Sequence, residues 1–245
     1  DEIRLPQNGS ISMNLGDLTT RTMVTYDSSL PRDTFDLNGI RQSGAALQRV
    51  SQHLNLIRGI RGFSAPAHIF SESNFPAGAG LASSAAAFAA LTVAAVRAAG
   101  IEMTEKDLSR LARRGSGSAA RSIPAGFVEW FRGDTDADSY AISIAPADHW
   151  ELMDCIVILD SNHKATGSTE GHRLAQSSPL QQARVKDCDR RLENCRDAIR
   201  HKDFDALAKV IELDSNLLHA VAMTSNPPVV YWLRATLEVK QAVVN

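Results

Sequence analysis

Two short stretches of this sequence carry residues suited to holding phosphate. The first, Asn74-Phe75-Pro76-Ala77-Gly78-Ala79-Gly80-Leu81-Ala82-Ser83-Ser84, joins a glycine-rich turn to paired hydroxyls at the head of an alanine-rich run. Pro76 fixes the backbone on entry, Gly78 and Gly80 permit positive φ and close ligand approach, and Ser83 or Ser84 is placed to cap a helix over residues 85–99. Unpaired amides at such a helix start, together with the helix dipole, favour an anion. No Gly-Lys-Ser/Thr follows and no Gly-x-Gly-x-x-Gly occurs, so this is neither a Walker loop nor a dinucleotide fingerprint. A tight turn before a buried helix has the same composition.

The second stretch, Arg113-Arg114-Gly115-Ser116-Gly117-Ser118-Ala119-Ala120-Arg121-Ser122, packs three basic residues, two glycines and three hydroxyls into ten positions. That composition suits a multiply charged oxyanion, and it equally describes a flexible Gly/Ser turn. Two such loops in one chain point to a common cleft for phosphorylated ligands.

The elements that must position these loops read as a mixture of strands and helices. Ile11, Met13 and Leu15 alternate with polar residues, and Thr20, Thr22, Val24 and Tyr26 continue the period after Gly16-Asp17, which predicts a hairpin. Residues 27–36 read as turns. Ile40, Leu47, Val50, Leu54 and Ile57 then predict a long amphipathic helix through Arg58, stopped by Gly59 and Gly62. Residues 67–71 read as a strand leading into the first phosphate loop. Thr104-x-x-Asp107 resembles a capping box for a short helix with Leu108, Leu111 and Ala112. Residues 126–130 and 141–146 read as strands. A boundary is expected at Pro146–Trp150, because the apolar run 153–159 has the character of a central strand in a second domain. Residues 160–171, including Lys164, read as a polar loop. Helices are expected over 180–200, 204–219 and 233–244, with Pro227-Pro228 separating the last from the pair before it.

Composition narrows the function classes. With 245 residues, 44% of them hydrophobic and 22% charged, the chain is ordinary globular protein, and its net charge of -2 does not suggest nucleic acid or an anionic membrane as the main partner. Cys155, Cys188 and Cys195 form no Cys-x-x-Cys pair, so a reduced compartment is expected. Cys188, Leu192, Cys195 and Ile199 share helical spacing and read as core rather than as metal ligands. No apolar run is long enough to span a bilayer, and no leader pattern opens the chain, so a cytoplasmic protein is expected.

Pro76-x-x-x-Gly80-Leu81-Ala82-Ser83-Ser84-Ala85-Ala86 resembles the ATP-phosphate loop of the GHMP small-molecule kinase superfamily, and Ser73-Asn74-Phe75-Pro76 narrows the likeness to the diphosphomevalonate decarboxylase family. Further blocks follow in that family's order: the segment from Leu5 through Asn8 and Ser10 to Ser12, then Ala112 to Ser122, Gly126 to Trp130 and His149-Trp150. Thr166 to Gly171, Ser178-Pro179-Leu180, Asp214-Ser215-Asn216, His219 and Pro227-Pro228 complete the series.

The resemblance implies an α+β GHMP kinase fold. Residues 1–148 would form an N-terminal domain like ribosomal protein S5 domain 2, and residues 149–245 a ferredoxin-like C-terminal domain, with the active site between them. It implies ATP-dependent decarboxylation of mevalonate 5-diphosphate to isopentenyl diphosphate, with ATP and Mg²⁺ required and a homodimer as the assembled form. Asn74, Pro76, Gly78, Ala79, Gly80, Leu81, Ala82, Ser83 and Ser84 would hold ATP, with Ser83 and Ser84 near the metal's water shell. Ser116, Gly117, Ser118 and Ser168 would hold the substrate diphosphate, and Arg121 the substrate carboxylate. No direct metal ligand is implied, and Lys164 is a weaker candidate for the phosphates.

The family's Lys-Tyr-Trp-Gly-Lys strand would precede Asp1 and its catalytic Asp-Ala-Gly-Pro-Asn motif would follow Asn245. Neither occurs in the chain, which is expected to be an incomplete part of the enzyme with no assignable catalytic base. A relative acting on mevalonate or its monophosphate, and a non-catalytic binding module on the same fold, are the alternatives.

Overall fold

The computed structural model describes residues 3–75, 83–159 and 167–244. The chain divides into two compact units, Asp1–His149 and Trp150–Asn245.

The first unit holds two sheets. Strands β2 (Thr20–Tyr26), β3 (Thr34–Leu37), β4 (Ile40–Gln42) and β5 (Ala67–Ser73) lie in the order β2-β5-β3-β4, while β1 (Ser10–Met13), β6 (Phe127–Trp130) and β7 (Ala141–Ala145) lie in the order β1-β6-β7. The expected hairpin between residues 11–15 and 20–26 is not formed: β1 runs antiparallel to β6, and β2 to β5. Alternation specifies which face of a strand is buried but not which strand it pairs with. Val24 sits opposite Ile69 in the core. Asn14 instead carries β1 along the 124–126 turn, its backbone amide bonding Gly126 O at 3.0 Å and its side-chain amide Pro124 O at 2.7 Å.

The segment expected to be turn and helix start contains the β3–β4 hairpin. Asn38 and Gly39 both have positive φ, 50° and 76°, as the two-residue turn between Leu37 and Ile40 requires. The Asn38 side chain also accepts from Ser73 N at 2.8 Å, tying the turn to β5. Ile40, counted by spacing as a helix residue, is therefore a strand residue and is 67% exposed.

Helix α1 (Gly44–Arg61) buries Val50, His53, Leu54, Ile57 and Arg58, one face at the i, i+3, i+4, i+7 spacing, and ends where Gly62 takes φ of 74°. Helix α2 (Ser83–Ala98) buries Ala85, Phe88, Ala89, Leu91, Thr92, Ala95 and Val96. It begins at Ser83, so Ser83 and Ser84 are its first helical residues, and the N-cap falls outside the described residues. Helix α3 (Glu105–Gly115) is capped as expected, Thr104 Oγ1 accepting from Asp107 N at 3.1 Å. These three helices share one core with β2 and β5, centred on Leu54, Ile57, Ile69, Ala95 and Ala112.

In the second unit the described elements are helices: α4 (Ser168–Ala175), α5 (Gln181–Lys186), α6 (Cys188–His201), α7 (Phe204–Met223) and α8 (Arg234–Val244). The single helix expected over 180–200 is divided at Asp187, whose carboxylate accepts from Arg190 Nε and Arg191 Nη1, both at 2.8 Å. Asp203 then caps α7 through Ala206 N at 3.0 Å. Cys188 is buried on α6, and among the described residues no group of three or more His, Cys, Asp or Glu side chains is placed to hold a metal.

The apolar run 153–159 is not the strand its composition suggested. It carries no ladder, and Met153 is 95% exposed. Strand structure is made by a neighbour's backbone, and no strand lies among the described residues of this unit. The expected polar loop ends earlier than residue 171, at the start of α4, with 160–166 outside the described residues.

A buried ion pair joins α1 to the sheet. Arg58 Nη2 pairs with Asp33 Oδ1, Arg58 Nη1 donates to Asp33 Oδ2 at 3.2 Å, and Ala67 N donates to Asp33 Oδ1 at 2.8 Å. Burial pushes the Asp33 carboxyl up, but the bonds from Arg58, Ser51 and Ala67 outweigh it and hold the group below its ordinary 3.8. A depressed acid contributes stability above its unfolded pKa and loses that contribution as pH falls through its folded value. Asp33→Ala is expected to cost about 3 kcal/mol in urea unfolding at neutral pH, because the Arg58 charge is left buried without its partner. The difference from the parent protein should shrink as pH drops below 3.8.

Candidate active site

The second phosphate-suited stretch is an ordered corner rather than a flexible turn. Ser116 ends α3 and opens a 3₁₀ helix over Gly117–Ser122, with φ of -152° and Ala119 N bonding Ser116 O at 2.9 Å. Ala119 and Ala120 are fully buried, and Ser109 Oγ bridges Ala120 O at 3.0 Å and Ala141 N at 2.9 Å. The two alanines anchor the corner. The Ser118 side chain makes no hydrogen bond with any described residue and is half-buried at the surface of the turn.

Ser84 Oγ and Ser116 Oγ lie 3.3 Å apart. This contact brings the first turn of α2 to the start of the 3₁₀ helix, so the two predicted loops meet at their hydroxyls. The first turn of α2 contains no acid, so nothing there opposes the attraction of its dipole for an anion.

Arg121 lies at the last turn of the 3₁₀ helix. Its Nε donates to Ser12 Oγ at 3.0 Å, its Nη1 to Ser10 Oγ at 2.6 Å, and its Cζ stands 5.6 Å from the centre of the Trp130 ring. It forms no ion pair among the described residues. Burial lowers its pKa to about 10, so the guanidinium stays charged at neutral pH in a setting that has not neutralised it. A partly desolvated guanidinium with only neutral partners keeps its charge and its donors for a carboxylate.

Other cations crowd the corner. Arg49, on α1, reaches Gly115 O at 3.5 Å and sits 5.0 Å over the Phe88 ring, and burial and the nearby Arg4 both lower its pKa. Arg4 Nε donates to Arg114 O at 3.1 Å, and Arg114 Nε is buried without a hydrogen-bond partner. Under them His53 Nε2 and Thr92 Oγ1 are 2.8 Å apart, Thr92 donating in turn to Phe88 O at 2.6 Å. Burial, with the Arg114 charge behind it, pushes His53 down to about 4 and keeps it neutral.

Some residues singled out by sequence are committed elsewhere. Arg113 is fully buried, with Nη2 2.5 Å from Asp136 Oδ1 and Nη1 on Ile3 O, so it ties the corner to the 132–138 turn. The Asn74 side chain accepts from Thr19 N at 2.8 Å and donates to Asp17 O at 2.6 Å, closing the 16–19 turn. Ser83 is the half-buried first residue of α2, and Ser168 opens α4 in the second unit. Pro76, Gly78, Ala79, Gly80, Leu81, Ala82 and Lys164 lie outside the described residues. Sequence reasoning missed Arg4 and Arg49, which are distant in the chain and lack any motif. It also missed the part played by Ser10 and Ser12, whose i, i+2 spacing on one face of a strand was the available signal.

Residues 1–141 match the family model for the diphosphomevalonate decarboxylase-like N-terminal domain, and residues 155–245 that for the mevalonate 5-diphosphate decarboxylase C-terminal domain. The mevalonate diphosphate decarboxylase of Staphylococcus aureus is 36% identical with a TM-score of 0.92, covering 100% of this chain and 75% of its own. MDDEF, solved in complex with MVAPP, AMPPCP and magnesium, is 34% identical with a TM-score of 0.88, over 100% of this chain and 77% of its own. Fold and corner thus define an α+β protein with the GHMP kinase fold. The diphosphomevalonate decarboxylases of Ganoderma lucidum and Homo sapiens are 38% and 36% identical over 93% and 94% of this chain. The chain belongs to the diphosphomevalonate decarboxylase family and spans 62% of the length of these two relatives.

Gly115 shows how little room the corner has. A Cβ there would stand 2.2 Å from Phe88 Cδ1, so α3 reaches α2 only because this position is glycine. Gly115→Ala is expected to cost about 1–3 kcal/mol of stability by chemical unfolding, the range for overpacking a core. Phe88→Leu in the same protein should recover part of it.

Proposed function

We propose that the protein decarboxylates mevalonate 5-diphosphate to isopentenyl diphosphate in an ATP-dependent reaction, releasing ADP, phosphate and carbon dioxide. The observation that carries this is Arg121, a half-buried cation with neutral partners, set a few residues beyond a Ser116–Ser118 corner rimmed by Arg4, Arg49 and Arg114. One group suits a carboxylate, and the other suits a diphosphate. The family membership and the relative solved with MVAPP and AMPPCP support the same reading.

ATP phosphorylates the tertiary 3-hydroxyl, and the C–O bond to phosphate then breaks. The C–C bond to the carboxylate breaks with it, and its electron pair becomes the new double bond. No electron sink is needed, so the protein's part is positioning and charge stabilisation. Arg121 holds the carboxylate in a fixed plane, Ser116 and Ser118 with the Gly117 amide hold the diphosphate, and the start of α2 with Ser83 and Ser84 receives the ATP phosphates. The donor chemistry at that helix start, hydroxyls without a carboxylate, fits a Mg²⁺ ion held mainly by nucleotide phosphates, whose charge it would neutralise. Ser168 is assigned to the diphosphate on the family resemblance alone.

A cytoplasmic homodimer belongs to the same proposal. Among the described residues no helix is long and apolar enough to cross a membrane.

Turnover of mevalonate, its 5-phosphate and its 5-diphosphate with ATP and Mg²⁺ is the direct test. Carbon dioxide release is expected from the diphosphate alone, and its absence there rejects the assignment. Arg121→Ala is expected to abolish turnover while ATP affinity, measured by calorimetry, stays within about three-fold of the parent value, as for a group acting on the other substrate. Equal loss of ATP binding would make Arg121 structural.

A further inference from the structure

Trp130 lies beneath the corner and touches two of its parts. The indole is 7% exposed, and its Nε1 donates to Ser139 Oγ at 3.0 Å. Ser139 is fully buried and donates in turn to Phe131 O at 3.1 Å, so the ring is locked against rotation from its far edge. Its face stands 5.6 Å from Arg121 Cζ, and its Cη2 would be 3.2 Å from a Cβ on Gly117. In the β1–β6 register Ser10 sits opposite Trp130 and Ser12 opposite Val128. The hydroxyl that receives Arg121 Nη1 and the ring under the guanidinium are therefore one cross-strand pair.

We propose that Trp130 is a positioning residue for Arg121, its locked indole setting the plane of the guanidinium and the path of the Gly117 turn. The inference rests on the reading of Arg121 as the carboxylate-binding group. A carboxylate beneath Arg121 would hold it as firmly but would consume its charge. An aromatic face and two hydroxyls attract a cation by their quadrupole and dipoles and leave the net charge for the substrate. The register makes this support rigid, because Ser10 and Trp130 cannot shift without moving the ladder that carries both.

The test is a double-mutant cycle on turnover of mevalonate 5-diphosphate and on its binding by calorimetry. Trp130→Leu is expected to lower kcat/KM about ten-fold with the KM for ATP unchanged, while Trp130→Phe, which keeps a ring, stays within about three-fold. In the Arg121→Lys protein, which lacks a planar guanidinium to orient, Trp130→Leu should cost less than about two-fold, in turnover and in binding alike. Ser139→Ala frees the indole without changing its volume, and its loss should likewise vanish in the Arg121→Lys protein. It carries the test if Trp130→Leu does not fold. Equal losses in both backgrounds, or losses that follow thermal stability with ATP affinity falling in step, overturn the positioning role. A parent protein that releases no carbon dioxide from mevalonate 5-diphosphate overturns the functional reading instead.

Discussion

The Arg121 guanidinium is partly withdrawn from water and has only neutral partners among the described residues, and much of the first unit serves that arrangement. Removing a cation from water is costly unless something stabilises it. Here Ser10 and Ser12 do so from one strand and Trp130 from the next, which fixes the β1–β6 pairing in function as well as in hydrogen bonds. Ser109 in turn ties the 3₁₀ helix to β7, so the backbone bearing Arg121 is anchored to the same sheet.

Other buried arginines show what the alternative looks like. Arg58 is paired with Asp33, Arg113 with Asp136, and Arg191, in the second unit, with Asp187 and Asp214. Each spends its charge on a carboxylate, and each ties together segments distant in sequence or successive turns of a helix. Arg121 is only half-buried, and it differs from them above all in having neutral partners. Partners distinguish these arginines more sharply than position in a basic run does, since Arg113 and Arg121 belong to the same run.

Close backbone approach is the other constraint. Alanines on α2 and Gly115 on α3 let the two helices approach closely, with the Phe88 ring packed directly against Gly115. That proximity is what sets Ser84 beside Ser116 and brings Arg49 of α1 to the Gly115 carbonyl. The two phosphate-suited stretches, about 30 residues apart in the chain, become one surface through packing of small residues.

The sequence by itself determined what is local. The cap at Thr104, the helical face of α1, the paired serines that open α2 and the Ser-Gly-Ser-x-x-Arg spacing are set by residues within a few positions of one another, and the family likeness was carried by such blocks. Asn38-Gly39 was equally local and was overlooked because helical spacing was followed through Ile40. Tertiary structure alone decided the rest. Period-two alternation gives the strand 10–13 a face but no partner, so its pairing with β6, and hence Ser10 and Ser12 against Arg121, depends on the whole sheet. Arg4 and Arg49 join the corner from far along the chain, and Arg113 leaves it for Asp136. Chain contacts of that range depend on how the elements pack, which no short spacing encodes. The apolar run 153–159 makes the same point, because a strand exists only when another backbone lies beside it.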